Sequence, residues 1–155
     1  MPRSIRTIHV SRSSKKSNLL PPGPATTPST RARWRRQLLL LVALASSLAA
    51  LAALLDPDRV AGSMGLFLVG VNGYSQFYAI YVGTRLATAA LALLAARPGE
   101  PPILGDITTL FLLAQPAGRL IAATVIGLPQ GMLLIVCGVE LACGLGLLVL
   151  RPAVH

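Results

Sequence analysis

The chain has 155 residues, room for one domain, and is 54% apolar but only 12% charged, about half the charged share usual in soluble domains. Residues 104–150 contain only three charged residues, Asp106, Arg119 and Glu140. Such a stretch cannot form the surface of a soluble globular protein, whereas it can face lipid. The composition therefore excludes a soluble globular protein and predicts an integral membrane protein.

The first 36 residues form a basic tail. They hold nine of the fourteen Lys and Arg residues and no acid, and Ser, Thr and Pro dominate residues 11–17 and 21–30. This composition predicts a disordered tail over residues 1–36. The basic balance would also suit nucleic-acid binding, but the charges directly precede a long apolar run, with Trp34 among them. We therefore expect contacts with lipid headgroups and no nucleic-acid partner.

Four apolar segments are long enough to cross the roughly 30 Å hydrocarbon core of a bilayer as helices. Charged, proline-rich or glycine-rich connections bound each of them. The pattern predicts an all-α fold, a bundle of four transmembrane helices formed by residues 37–152. The predicted spans are residues 38–55, 76–96, 107–126 and 132–150.

Two features of the connections carry further predictions. Residues 60–73 are apolar but interrupted by four glycines, which predicts a loop that lies on the membrane surface or inserts partly into it. Asp106 directly precedes the third span, where the side chain of an N-cap residue is expected.

The segments on the side of the tail carry eleven Lys and Arg residues, whereas the opposite loops carry only Arg59. This asymmetry predicts a multi-pass protein of the cell membrane with both termini cytoplasmic.

The second and fourth spans contain a short internal repeat. Gly83–Ala87 and Gly138–Ala142 share a glycine, a charged residue, a leucine and an alanine, and each segment leads to an Arg-Pro pair. Both spans run in the same direction, so two helical hairpins related by an axis along the membrane normal would explain the repeat. Chance similarity between two sequences rich in Leu and Ala is the alternative.

Charged and polar residues lie deep within the predicted spans. At 1.5 Å per helical residue, Arg85, Glu140 and Gln115 lie roughly 13–16 Å from the cytoplasmic ends, near the midplane. A charge there is costly unless it is paired. Arg85 and Glu140 occupy corresponding repeat positions with opposite sign, so we expect an ion pair. Gln115 and the hydroxyl of Tyr81 are expected to complete its hydrogen bonds.

Two further residues belong to this predicted polar cluster. Tyr78 precedes Arg85 by seven residues and shares its helix face, and Arg119 lies one turn beyond Gln115. Arg119 adds a formal positive charge to the cluster, although its long side chain can extend towards the outer surface. The cluster allows three interpretations. It is a structural ion pair that orients the helices, a site for a headgroup, quinone or small anion, or part of a proton or ion path.

The usual catalytic and cofactor motifs are missing. The two histidines, His9 and His155, both lie outside the spans, and no Cys, His, Asp and Glu residues are grouped at metal-ligand spacing. There is no phosphate-binding glycine loop and no nucleophile elbow. We therefore predict no catalytic residue, metal or cofactor, and the sequence leaves enzymatic activity undecided while favouring its absence.

The order of several short motifs resembles that of a known family over residues 38–152. The chain is similar to the bacterial domain of unknown function 4345 family, small four-helix membrane proteins of a DoxX-like kind. The resemblance implies a bacterial membrane protein and singles out Arg119 and Glu140 as matching positions, without assigning any activity. The long basic tail departs from the family pattern. The matching motifs are Asp56-Pro57, Asn72, Tyr78–Gly83 with Arg85, Gly118–Leu120, Gly127–Pro129, Glu140-Leu141 and Arg151-Pro152.

The leading functional hypothesis is a small accessory membrane protein that binds a lipid-like ligand or an anion at the polar cluster. It would work within the bilayer, as a homo-oligomer or with a membrane partner. A DoxX-like redox component that handles quinone or thiol chemistry is the second hypothesis, and it requires Cys137 to face the same pocket as Glu140. A small transporter subunit is the third, and it requires a continuous polar path.

Overall fold

A computed structural model describes residues 30–152. Within this range all regular secondary structure is helical, as predicted. The four apolar spans are present as helices long and apolar enough to cross a membrane, so the protein is a multi-pass membrane protein. The elements are α1 (Thr30–Leu55), α2 (Pro57–Ser63), α3 (Gly70–Phe77), a π-helical segment (Tyr78–Thr84), α4 (Arg85–Ala95), α5 (Pro102–Ile126) and α6 (Met132–Val149).

The helices form an up-down-up-down bundle. α3, the π-helical segment and α4 run on without a break and make the second span, Gly70–Ala95. α1 packs most extensively on α4 and α5 on α6, while contacts of α4 with α5 and of α1 with α6 close the ring. The apolar core lies towards the end of the bundle where α1 begins. It contains Leu39, Val42, Ala43, Ala92, Ala96, Leu112 and Leu147.

The buried face of α5 is built from small and hydroxyl-bearing residues. Thr108 and Thr109 are buried, and their hydroxyls donate to the carbonyl oxygens of Leu104 and Gly105, at 2.8 and 2.7 Å. These hydrogen bonds within the helix satisfy two hydroxyl groups that have no water to bind in the bundle interior. Small residues also let α5 and α6 approach closely, because a Cβ at Gly144 would overlap the side chain of Leu113.

The structure corrects three predicted boundaries. Residues 30–36 are not a disordered tail, because α1 already begins at Thr30; residues 1–29 lie outside the described residues. The predicted loop over residues 60–73 is helical at both ends, where α2 ends at Ser63 and α3 begins at Gly70. Asp106 is not an N-cap, because α5 begins at Pro102 and Asp106 lies within it.

Asp56 and Pro57 explain why α2 begins directly after the end of α1. The carboxylate of Asp56 accepts a hydrogen bond from the backbone N–H of Arg59 at 3.1 Å, and Pro57 occupies the first helical turn. Both features favour helix initiation. Ala61 then packs with Ala53 and Phe77 in a small second core, which fixes α2 across the end of the bundle opposite the start of α1.

Candidate functional site

Glu140 is the centre of the buried polar cluster. Its side chain is only 5% exposed and accepts hydrogen bonds from two arginines on two different helices. Nη2 of Arg85 donates to Oε1, and Nη1 of Arg119 donates to Oε2 at 2.6 Å. The predicted contact between Arg85 and Glu140 is therefore present, and it crosses the bundle from α4 to α6.

The backbone before Arg85 departs from the predicted regular helix. Tyr78–Thr84 forms a π-helical segment, in which the hydroxyl of Thr84 also donates to the carbonyl oxygen of Ala79, five residues back, at 3.2 Å. A π-helical turn changes which face of the following helix points inward, and such turns are common at functional sites. Arg85 is the first residue after the segment and is buried.

Arg119 turns into the bundle instead of extending towards the outer surface. Besides its bond to Glu140, its Nη2 donates to Oε1 of Gln115 at 3.3 Å. Gln115 therefore belongs to the cluster as expected, but it supports Arg119 and does not bind the Arg85–Glu140 pair directly. Pro116 is fully buried beside this layer. Since proline lacks an N–H, the carbonyl of Leu112 receives no hydrogen bond from residue 116.

The two tyrosines do not complete the ion pair. The ring of Tyr81 stacks on Phe77 with centroids 4.6 Å apart, and its hydroxyl forms no hydrogen bond with Arg85 or Glu140. Tyr78 makes an edge-to-face contact with the same phenylalanine at 6.3 Å. Tyr81 still lines the cavity described next, whereas Tyr78 does not.

A cavity of about 460 Å³, which we name the lateral cleft, opens between α1 and α6. Its walls are almost entirely apolar, and alanines at positions 45, 49 and 52 leave much of the space. Arg85, Glu140 and Tyr81 bring polar groups into its lining. The remaining lining residues are Leu41, Val42, Ser46, Val60, Ser63, Met64, Leu112, Met132, Ile135, Val136, Val139 and Cys143.

The cysteines do not lie as the redox hypothesis required. Cys137 is buried but does not line the lateral cleft, whereas Cys143 does. Both thiols are free. Cys137 thus gives the redox hypothesis no support.

A second carboxylate held by two arginines lies near the start of α1. Asp106 pairs with Nη2 of Arg35 through Oδ1 at 2.9 Å and with Nη2 of Arg151 through Oδ2 at 2.8 Å. The sequence reasoning missed this cluster because it assigned Arg35 to the tail and Asp106 to a helix cap. The positions of the two residues in the sequence could have predicted the contact. Arg35 and Asp106 each lie just before a predicted span, so both are expected at the same depth and at the same end of the bundle.

A largely apolar layer, with Leu39, Val42, Leu112 and Leu147 in its core, separates the two charged clusters. The buried hydroxyls of Thr88, Thr108 and Thr109 also lie between them, but each donates to a carbonyl oxygen four residues back in its own helix. Within residues 30–152 no side-chain hydrogen bond links the two clusters. The arrangement argues against a transport path along the bundle axis.

Comparisons of the chain with protein-family models, with curated proteins and with solved structures find no match.

Proposed function

We propose that this protein is a small accessory membrane protein that binds a lipid-like molecule in the lateral cleft. The observation that carries the proposal is the position of the Arg85–Glu140 pair in the lining of an otherwise largely apolar cavity. Binding sites for small molecules typically combine apolar walls with a few fixed polar groups. A ligand in the membrane would reach the cleft sideways, from the acyl chains, because the opening lies between two lipid-exposed helices.

The charges of the cluster indicate which polar group such a ligand would carry. Two guanidinium groups face one carboxylate, so the cluster keeps a formal surplus of one positive charge. Both carboxylate oxygens are already occupied by arginines. Among the hydrogen bonds of residues 30–152, Arg85 uses Nη2, and its Nε and Nη1 have no acceptor. These donors favour a carbonyl or a carboxylate on the ligand over a group that only donates.

Membership of the resembled family is a further proposal, and it rests on the sequence motifs. Arg119 and Glu140, the two matching positions, bind each other at the centre of the bundle. We also propose that both termini are cytoplasmic, because the arginine-rich start of α1 and the Arg97 and Arg151 segments lie at one end of the bundle.

Native mass spectrometry of the protein extracted gently from its own membrane tests this function. We expect a retained small molecule in the wild-type protein. Ala49→Phe fills the cleft without changing a charge and should remove the molecule, whereas Leu48→Phe is the matched control because Leu48 is 56% exposed and does not line the cleft. An equal loss in both variants, or an empty wild-type protein, would contradict the proposal.

A variant of Cys143 distinguishes ligand binding alone from the redox hypothesis. Cys143→Ala removes the one thiol that lines the cleft, while it leaves Arg85 and Glu140 in place. If the protein only binds its ligand, Cys143→Ala should retain the molecule unchanged in mass and oxidation state. A wild-type ligand that changes oxidation state in a Cys143-dependent way would instead favour thiol-linked chemistry.

A further inference from the structure

Arg35 is a buried arginine whose hydrogen bonds are incomplete. The residue is 6% exposed, and its Nη2 donates to Asp106 Oδ1 at 2.9 Å and to the carbonyl oxygen of Pro102 at 3.3 Å. Its Nε is fully enclosed and has no hydrogen-bond partner among the described residues. Its Nη1 forms no hydrogen bond there either, and it is not fully enclosed. Donors of a largely buried charged group are normally paired, so Nη1 marks a place where an acceptor is missing.

The guanidinium of Arg35 is held in one orientation. It packs against Gly105 in α5, where a Cβ would come within 2.5 Å of Nη2 and 2.9 Å of Cζ. Only glycine leaves room for this approach. Together with the bonds to Asp106 and Pro102, the contact fixes the direction in which Nη1 points before any ligand arrives.

A second cavity, which we name the basic cavity, lies against this side chain. It measures about 410 Å³ and is bounded by the start of α1, the end of α4, the α4–α5 connection and the start of α5. Arg33, Arg36 and Arg97 line it together with Arg35. Within residues 30–152 the three exposed arginines form no ion pair, and Glu100 is the one acidic residue in the lining. The cavity therefore carries a strong excess of positive charge.

The basic cavity lies at the depth of the lipid phosphates. α1 has 26 residues and is about 39 Å long at 1.5 Å per residue, longer than the roughly 30 Å hydrocarbon core. Its first turns therefore extend into the headgroup region. Trp34 supports this depth, because it is 60% exposed next to Arg35 and tryptophan prefers the membrane interface.

We propose that the basic cavity is a binding site for a phosphate group, with Arg35 Nη1 as its fixed donor and Arg33, Arg36 and Arg97 as its flexible ones. Arginine suits this chemistry because its planar fork of N–H groups matches the oxygens of a phosphate. The phosphate comes either from an anionic lipid headgroup or from free phosphate in solution. This site is separate from the lateral cleft, and neither proposal depends on the other.

The single tryptophan of the chain reports on the site, because Trp34 is adjacent to Arg35. The full-length protein, freed of lipid in a neutral detergent, is titrated with inorganic phosphate and, separately, with mixed micelles of phosphatidic acid or of uncharged diacylglycerol. We expect a saturable change in Trp34 fluorescence. Saturation by inorganic phosphate assigns the site to the free ion, and saturation by phosphatidic acid alone assigns it to lipid. No response to either ligand, or an equal response to diacylglycerol, overturns the proposal.

Two variants of equal charge separate the site from general attraction to a basic surface. Arg97→Gln removes an arginine that lines the basic cavity, and Arg31→Gln removes an exposed arginine of α1 that does not. We expect Arg97→Gln to weaken phosphate binding by about tenfold and Arg31→Gln to change it by less than about twofold. Equal weakening by both variants would show that net charge alone attracts the ligand, against the proposal.

Gly105→Ala supplies an independent test of the fixed donor. The added methyl displaces the Arg35 guanidinium without changing any charge, so binding should weaken although the attraction of the surface is unchanged. Undiminished binding in a folded Gly105→Ala protein would exclude Arg35 Nη1 as the donor.

Discussion

Glu140 balances two arginines that have no other carboxylate within reach among the described residues. The side chains of Arg85 and Arg119 are 10% and 15% exposed, and both guanidinium groups end on this one residue. In a membrane interior an unpaired charge costs several kcal/mol. The ion pairs therefore fix the relative positions of α4, α5 and α6 whether or not a ligand binds.

The first prediction concerns the loss of Glu140. Glu140→Ala leaves two buried guanidinium groups unpaired and should lower the free energy of unfolding by about 3–5 kcal/mol. Arg85→Ala combined with Glu140→Ala should recover part of that loss, but not all of it, because Arg119 stays unpaired. Unfolding in mixed micelles with increasing denaturing detergent measures both effects.

The control for this prediction is Leu141→Ala, which changes the adjacent residue, 37% exposed, on the same helix. It should have a small effect, since it touches no charge. If the effects of the Arg85 and Glu140 substitutions simply add, the two residues are not energetically coupled and the structural role of the pair is wrong.

At the scale of helices, the hydrophobic effect does not drive helices together within the bilayer, because lipid tails are as apolar as leucine. Helix association depends instead on close packing of the backbones. The second prediction tests this at the α5–α6 contact. Gly144→Ala brings a Cβ into the side chain of Leu113 and should destabilise the protein by about 1–3 kcal/mol. Gly138→Ala in the same helix meets no atom within 4 Å and should be neutral or stabilising by up to about 1 kcal/mol.

Gly144→Ala combined with Leu113→Ala checks the cause. Removing most of the Leu113 side chain clears the space for the new methyl, so the double variant should be less destabilised than the two single effects added together. The same detergent titration measures it. Strictly additive losses would show that Gly144 matters for a reason other than this contact.

The helices themselves were largely predictable, and their details were not. Length and hydropathy place all four spans, because a run of about twenty apolar residues has few alternatives to a membrane helix. The extension of α1 back to Thr30 was missed because arginines were assigned to the tail. The π-helical segment at Tyr78–Thr84 gives no periodicity signal, since this span is apolar on most of its faces.

At the scale of the whole molecule, the two ion-pair clusters follow one rule. Each pairs an arginine of the first hairpin with a carboxylate of the second across the bundle, Arg35 with Asp106 and Arg85 with Glu140. Only Arg85 and Glu140 occupy matched positions of the predicted internal repeat, because Arg35 and Asp106 lie outside its two segments. The repeat therefore stays a prediction.

The site was predictable only where two signals coincided. Arg85 and Glu140 could be paired because they share both depth and repeat position. The lateral cleft could not be foreseen, because it depends on which apolar faces of α1 and α6 fail to meet, and alanines such as Ala45 and Ala49 suit close packing as well as a cavity.

The last prediction concerns the orientation of the whole bundle. In a variant without native thiols, Cys137→Ala with Cys143→Ala, a single cysteine is introduced at Phe67, which is 91% exposed between α2 and α3, or at Glu100 in the exposed connection between α4 and α5. These connections lie at opposite ends of the bundle. Because the basic residues gather at the end of Glu100, we expect that end to be cytoplasmic.

A membrane-impermeant thiol reagent applied to intact cells should therefore label the cysteine at position 67, and label the one at position 100 only after permeabilisation. Complete reversal of the two results would keep the four-helix bundle but invert its orientation. Labelling of both positions from the same side would contradict the number of spans, because an odd number of crossings must separate the two connections.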